Sequence, residues 1–111
     1  MSKRNPKLYI QDIQRSIDLI QQYTGGMTFD QFDNDQKTLD AVVRNFHIIG
    51  EAARALPESV KIQNPSIPWS QISGMRNAMI HEYFGVDTVE IWSTLEHDLP
   101  ALKKQLKRLK V

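Results

Sequence analysis

Apolar residues recur at steps of three and four along most of the chain, a pattern typical of helices that bury one face. The first run consists of Ile10, Ile13, Ile17 and Ile20. Before it stand Asn5, a favoured N-cap residue, and Pro6, which suits the first helical position. Gly25 and Gly26 follow the run. The pattern therefore predicts a helix over residues 7–24 that ends at the two glycines.

A second, longer run predicts a helix over residues 35–56, because Pro57 cannot continue it. Its members are Leu39, Val42, Val43, Phe46, Ile49, Ala53 and Leu56. Either Asn34 or Asp35 is placed to cap its start. Between the two long helices, residues 28–31 have the form of a capping box, which predicts one short helical turn.

Two further runs predict helices over residues 69–83 and 88–109. The third run consists of Ile72, Met75, Met79 and Tyr83, and the fourth of Trp92, Leu95, Leu99, Leu102, Leu106 and Leu109. Pro100 falls inside the fourth run, and we expect it to kink the helix rather than end it, because the stripe keeps its phase. Residues 57–68 are rich in proline and predict a loop with at most a turn or two of helix.

Four principal helices with antiparallel connections predict an all-α, up-and-down bundle with additional short helical turns. The 111 residues fit one domain over residues 1–111. The absence of cysteine excludes disulfides, thiolate metal sites and cysteine nucleophiles. Nothing at the start resembles a signal peptide or a spanning segment, so we expect a cytoplasmic protein that is not bound to a membrane. A net charge of +1 gives no global basic field for nucleic acid.

A polar ridge with charges of alternating sign runs along the second predicted helix. Its members are Asp40, Arg44, His47, Glu51 and Arg54. One interpretation is a solvent-exposed face whose ion pairs, four residues apart, each contribute only about 0.2–0.5 kcal/mol. The other is that part of the ridge lines a groove opposite Arg76. Glu51 is then the expected carboxylate, because the small residue Gly50 beside it permits close helix approach.

A cluster of chemically capable residues lies within two turns of the third predicted helix. Arg76 falls on its apolar stripe, and a guanidinium cannot be left dry and unpaired, so a cleft, an interface or a fixed carboxylate is expected there. Asn77 and His81 are one turn apart. A His near a helix end also suits the helix dipole, and a Tyr such as Tyr83 is often part of a core. Both interpretations remain open on the cluster alone.

Three stretches of the chain resemble the HepT family, a branch of the HEPN superfamily of small all-helical proteins. They are D-A-V-V-R-N-F-H-I-I-G-E at 40–51, I-P-W-S-Q-I-S-G-M-R-N-A-M-I-H-E-Y-F-G-V-D at 67–87, and D-L-P-A-L-K-K-Q-L at 98–106. The family motif R-x-x-x-x-H-x-Y is filled by Arg76, His81 and Tyr83. The resemblance extends from the first predicted helix to about Leu106.

The resemblance implies a toxin of a HepT/MntA-type toxin–antitoxin system, a homodimeric endoribonuclease that needs neither metal nor cofactor. Arg76 and His81 are the implied catalytic residues, with Asn77 in support. The interpretation of the polar ridge as a groove lining adds Glu51 as a supporting residue. Two copies of His81 can supply the proton acceptor and donor of RNA cleavage, while Arg76 supplies positive charge for the phosphorane. The family also implies that an MNT-type nucleotidyltransferase antitoxin silences the toxin by transferring AMP to Tyr83.

A second function fits the same residues. HEPN-like proteins that accompany nucleotidyltransferases can also be interpreted as non-catalytic subunits that bind a nucleotide or a substrate. Arg76 and His81 would then hold a phosphate without cleaving anything. Growth arrest on expression of this chain alone would distinguish the toxin from such a subunit.

Overall fold

The computed structural model describes residues 4–77 and 87–109, and over those residues it contains helices and no strand. The elements, in chain order, are α1 (Pro6–Thr24), α2 (Phe29–Asp33), α3 (Gln36–Ala55), α4 (Glu58–Gln63), α5 (Trp69–Ser73), a 3₁₀ turn (Gly74–Asn77), α6 (Thr88–Ser93), a π-helical turn (Thr94–Asp98) and α7 (Leu99–Lys107). The predicted all-α class is therefore confirmed.

The helix boundaries follow local capping chemistry. The Asn5 side chain accepts a hydrogen bond from the backbone N–H of Lys7 at 2.9 Å, so α1 begins at Pro6. It stops before Gly25, and Gly26 has a φ of 80°, which glycine adopts without steric cost. Thr28 caps α2 through the predicted capping box.

Asp35, rather than Asn34, caps α3. Its carboxylate accepts one hydrogen bond from the backbone N–H of Thr38 at 3.1 Å and another from the Thr38 hydroxyl at 2.9 Å. Both bonds favour the charged carboxylate, and they hold the pKa of Asp35 below its usual range. Asn34 instead ends α2.

The centre of the core lies where α1 packs along α3. Every apolar member of the first two predicted runs is buried. The last helical segment, α6 to α7, adds Ile91, Leu95, Leu99, Leu102 and Leu106 to the same core. Trp92 is only half-buried and packs against Phe32, with ring centroids 5.1 Å apart. The last helical segment also contacts the first helix at the surface, where the Lys103 ammonium on α7 lies 3.0 Å from the Asp18 carboxylate on α1.

The predicted helix over residues 69–83 is not α-helical throughout the part that the structure describes. The α-helix ends at Ser73, and the backbone tightens into the 3₁₀ turn from Gly74 onwards. Glycine is a poor helix former, and this turn packs closely against α3, so both local propensity and packing favour the change. Residues 78–83 of that prediction lie outside the described residues.

As predicted, Pro100 does not end the last helix. The departure from regular α-helical geometry lies in the turn before it. Residues 94–98 are π-helical, and Pro100 is then the second residue of α7. In a regular α-helix the proline ring would collide with the carbonyl of Glu96, four residues earlier. The wider π-helical turn accommodates the ring at that point. Throughout 4–77 and 87–109, no helix is long and apolar enough to cross a membrane.

Candidate active site

The 3₁₀ turn crosses α3 and brings Arg76 to Glu51. The Arg76 guanidinium donates a hydrogen bond from Nη1 to Glu51 Oε1 at 3.2 Å. The two side chains are 37% and 45% exposed, so solvent screens the pair and its contribution to stability is at most about 1 kcal/mol. Within the described part of the chain this is the only hydrogen bond of the guanidinium. No other described residue contacts its remaining N–H groups, which could therefore meet an anion such as a phosphate.

Gly50 on α3 allows this close approach. A Cβ placed on Gly50 would lie 2.9 Å from both Arg76 Cβ and the Ser73 carbonyl oxygen, and closer still to the Arg76 backbone nitrogen. These atoms belong to the backbone or are fixed to it, so they cannot swing aside as the end of a long side chain could. The expectation that Gly50 permits close approach is therefore confirmed, although its partner is a 3₁₀ turn.

A second polar contact fixes the backbone of the same residue. Nδ1 of the half-buried His47 lies 3.3 Å from the Arg76 carbonyl oxygen. A carbonyl oxygen can only accept, so Nδ1 carries the hydrogen in this contact. His47, Gly50 and Glu51 stand at i, i+3 and i+4 and therefore share one face of α3, which we call the α3 cradle.

The ion pairs that would make the polar ridge a purely solvent-exposed face are not formed among the described residues. The Glu51 carboxylate contacts Arg76 rather than His47. The Asp40 carboxylate accepts a hydrogen bond from the Gln36 amide at 2.7 Å rather than pairing with Arg44. The structure thus favours the interpretation in which part of the ridge faces Arg76.

Asn77 lies on a different surface from the Arg76 guanidinium. It is exposed and lines an open groove of about 760 Å³ between the 3₁₀ turn and the last helical segment. Three carboxylates also line this groove, from Asp87, which caps α6, from Glu90 of α6 and from Asp98 of the π-helical turn. None of the described residues that line the groove is Lys, Arg or His. The described carboxylates of the groove would disfavour a phosphate backbone there. Among the described residues Glu51 contacts Arg76 and not Asn77.

The predicted catalytic residue His81 and the predicted AMP acceptor Tyr83 lie outside the residues that the structure describes. Their placement relative to Arg76 stays a prediction. Across 4–77 and 87–109, no three His, Cys, Asp or Glu side chains are grouped so that they could hold a metal ion.

The sequence pattern did not predict the contact of His47 with the Arg76 carbonyl, because the spacing of the ridge pairs His47 with Glu51 on its own helix. The spacing of His47 from Gly50 and Glu51 was the available signal. Residues at i, i+3 and i+4 meet the same neighbour, so a partner for Glu51 was also within reach of His47.

Comparison with known proteins gives one family. Residues 13–109 match the HepT-like family, described as "Ribonuclease HepT-like". "Probable ribonuclease HepT" of Thermococcus cleftensis is 42% identical over 108 residues, which is 97% of this chain and 98% of that protein. A "Putative RNase" of Methanocaldococcus jannaschii is 36% identical over 109 residues, or 98% and 90% of the two chains.

A "Putative RNase" of the bacterium Caldanaerobacter subterraneus is similar to the same extent, at 36% identity over 106 residues that make up 96% of this chain and 95% of that protein. No solved structure matches the chain. The similarity to these three proteins is therefore almost full-length on both sides.

Proposed function

The chain belongs to the HepT-like ribonuclease family, and from that premise we propose that it is the toxin of a HepT/MntA-type toxin–antitoxin system. It cleaves cellular RNA as an endoribonuclease and needs no metal ion to do so. The observation that supports the proposal is the Arg76 guanidinium, which pairs with Glu51 of the α3 cradle and is still 37% exposed, so it can meet a phosphate.

The chemistry assigns a role to each residue. The ribose 2′-oxygen attacks the adjacent phosphorus, its proton passes to a base, and the 5′-oxygen leaves with a proton from an acid. The products are a 2′,3′-cyclic phosphate and a 5′-hydroxyl. Arg76 stabilises the negative charge that builds on the phosphorane, and Glu51 keeps the guanidinium from rotating away. His81 serves as the acid or base.

One chain supplies a single Arg76 and His81, whereas the reaction needs both a base and an acid. We therefore place the active site in a homodimer, with two motifs facing each other across one cleft. The half-exposed Arg76 and Glu51, together with the exposed Arg44 and Arg54 on the same helix, offer a polar surface for that pairing. Sedimentation that finds only monomer at micromolar concentration would refute this arrangement.

Control of the toxin is assigned to a nucleotidyltransferase antitoxin that transfers AMP to the Tyr83 hydroxyl. The added phosphodiester carries negative charge beside Arg76 and would compete with the RNA phosphate for the guanidinium. The bulk of the nucleotide would also obstruct the cleft. Both effects act on binding of the substrate, so the modified toxin is expected to be silent rather than unfolded.

Incubation of the purified protein with RNA in EDTA tests the proposal. We expect cleavage whose products carry 2′,3′-cyclic phosphate ends, which are distinguished by their resistance to a phosphomonoesterase before acid opening. Cleavage that appears only when a divalent metal is supplied would contradict the metal-independent mechanism. An intact RNA, with a nucleotide or substrate bound but not cleaved, would favour a non-catalytic subunit of a nucleotidyltransferase.

A further inference from the structure

We propose that His47 is a positioning residue for Arg76, an inference that rests on the proposed ribonuclease function. It holds the backbone carbonyl of Arg76 through Nδ1–H and so sets the direction in which the guanidinium leaves the 3₁₀ turn. His47 itself does not touch RNA in this account. His47 lies on α3 and is 29 residues from Arg76 in the chain, so the contact joins two distant elements.

The α3 cradle bounds Arg76 on three sides. Gly50 has no side chain and so leaves room for the backbone nitrogen and Cβ of Arg76, while His47 contacts the carbonyl oxygen and Glu51 contacts the guanidinium. The close approach on the nitrogen side and the hydrogen bond at the carbonyl lie on either side of Cα, so together they limit the rotation of the residue about its own backbone. Gly50 alone sets only the distance between the turn and α3. Without His47, that rotation is left to the weak, solvent-screened pair with Glu51.

His97 provides a matched comparison within the chain. Its Nδ1 lies 3.0 Å from the carbonyl oxygen of Ser93, four residues earlier in its own helical segment, and its side chain is exposed. That bond is local and stays within one continuous helical segment. The His47 bond has the same chemistry but joins α3 to the 3₁₀ turn, so its loss is expected to move Arg76, whereas loss of the His97 bond moves nothing remote.

A positioning role and direct action on RNA would use different ring nitrogens of His47. A positioning role needs a hydrogen-bond donor where Nδ1 stands, whereas direct action on RNA would use the other ring nitrogen, Nε2. An asparagine amide reaches about as far as Nδ1, and a glutamine amide about as far as Nε2. Substitution by Asn therefore replaces the positioning contact alone, and substitution by Gln replaces only the outer nitrogen.

Steady-state cleavage of a fluorogenic oligoribonucleotide tests the inference with His47→Ala, His47→Asn, His47→Gln and the control His97→Ala. We expect His47→Ala to lower kcat about 10- to 100-fold with a smaller change in KM, because a misplaced guanidinium weakens the transition state more than the ground state. His47→Asn restores most of the loss and His47→Gln does not. His97→Ala is expected to match the wild type.

A spectroscopic measurement gives a result that does not depend on cleavage. The ¹⁵N shifts of His47 report which ring nitrogen carries the hydrogen, and the Arg76 Nε–H resonance reports the guanidinium environment. We expect hydrogen on Nδ1, a shifted Arg76 signal in His47→Ala, and its return in His47→Asn.

The inference is overturned if the wild type cleaves RNA and His47→Ala does so equally well, or if His47→Gln rescues cleavage and His47→Asn does not. An unchanged Arg76 signal in His47→Ala also overturns it. A wild type that fails to cleave RNA contradicts the proposed function instead. The spectra then still decide whether His47 orients Arg76, so the two failures are distinguishable.

Discussion

Gly50→Ala is the substitution that most directly tests how the site is built. The new methyl group would lie 2.9 Å from Arg76 Cβ and from the Ser73 carbonyl, where ordinary contact begins at 3.4 Å, and it would be closer still to the Arg76 nitrogen. The turn must therefore move away from α3 by at least about 0.5 Å, the difference between these two distances. Because the obstructing atoms belong to the backbone or are fixed to it, the whole turn has to move.

Two energies of opposite sign decide the result. Alanine is favoured over glycine inside a helix by about 0.8–1.0 kcal/mol. Overpacking of a close contact costs about 1–3 kcal/mol, and three simultaneous short contacts place this site towards the upper end of that range. We expect a net destabilisation of about 1–2 kcal/mol. Cleavage should fall about tenfold, since a 1 Å displacement of a catalytic group costs about 100-fold.

Urea denaturation and RNA cleavage measure the two effects, with Gly74→Ala as the matched control. Gly74 also has helical dihedral angles, with φ −67° and ψ −16°, but a Cβ there would meet no atom of the described residues within 4 Å. Gly74→Ala should therefore be neutral or slightly stabilising and fully active, while Gly50→Ala lowers the urea midpoint by roughly 1 M. If both variants are as stable and as active as the wild type, the close contact does not position Arg76.

Three further predictions concern the chemistry and the pH dependence. Arg76→Ala and His81→Ala should each abolish cleavage in EDTA. Arg76→Ala should change the free energy of unfolding by no more than about 1 kcal/mol, since its ion pair is half-exposed. Wild-type cleavage by either variant would rule out the assigned mechanism. Tyr83→Phe should remain toxic when co-expressed with the nucleotidyltransferase and should gain no AMP mass. The wild type, in contrast, should be silenced and its mass should increase. An adduct that persists in Tyr83→Phe would place the acceptor elsewhere. The pKa of Asp35 is lower in the folded state than in the unfolded chain. The charged carboxylate therefore stabilises the fold above the unfolded pKa of about 3.9, and this stabilisation is lost as the pH falls through the folded pKa. Thermal melts between pH 6 and 2 should therefore show the wild type losing its advantage over Asp35→Asn, and a difference that does not vary with pH would refute the assignment.

Local chemistry along the chain was sufficient to predict α1, α2 and α3. Asn5 and Asp35 cap helices whose backbone N–H groups lie two or three residues ahead of them, so the necessary partners are already adjacent in sequence. The apolar runs of α1 and α3 are likewise periodic within one element, and each of their members is buried. The Arg76 and Glu51 pairing was anticipated as one of two interpretations, because small residues beside Glu51 suggested a close neighbour.

The choice between those interpretations needed the tertiary structure. Glu51 has His47 one turn away on its own helix and Arg76 on a distant turn, and local spacing favours the first partner. The backbone contact at Gly50 brings the 3₁₀ turn so near that the carboxylate reaches the guanidinium and His47 reaches the carbonyl instead. Sequence by itself determined which residues could share a face of α3. Only packing decided what that face would meet, because the closeness of two backbones depends on every side chain between them.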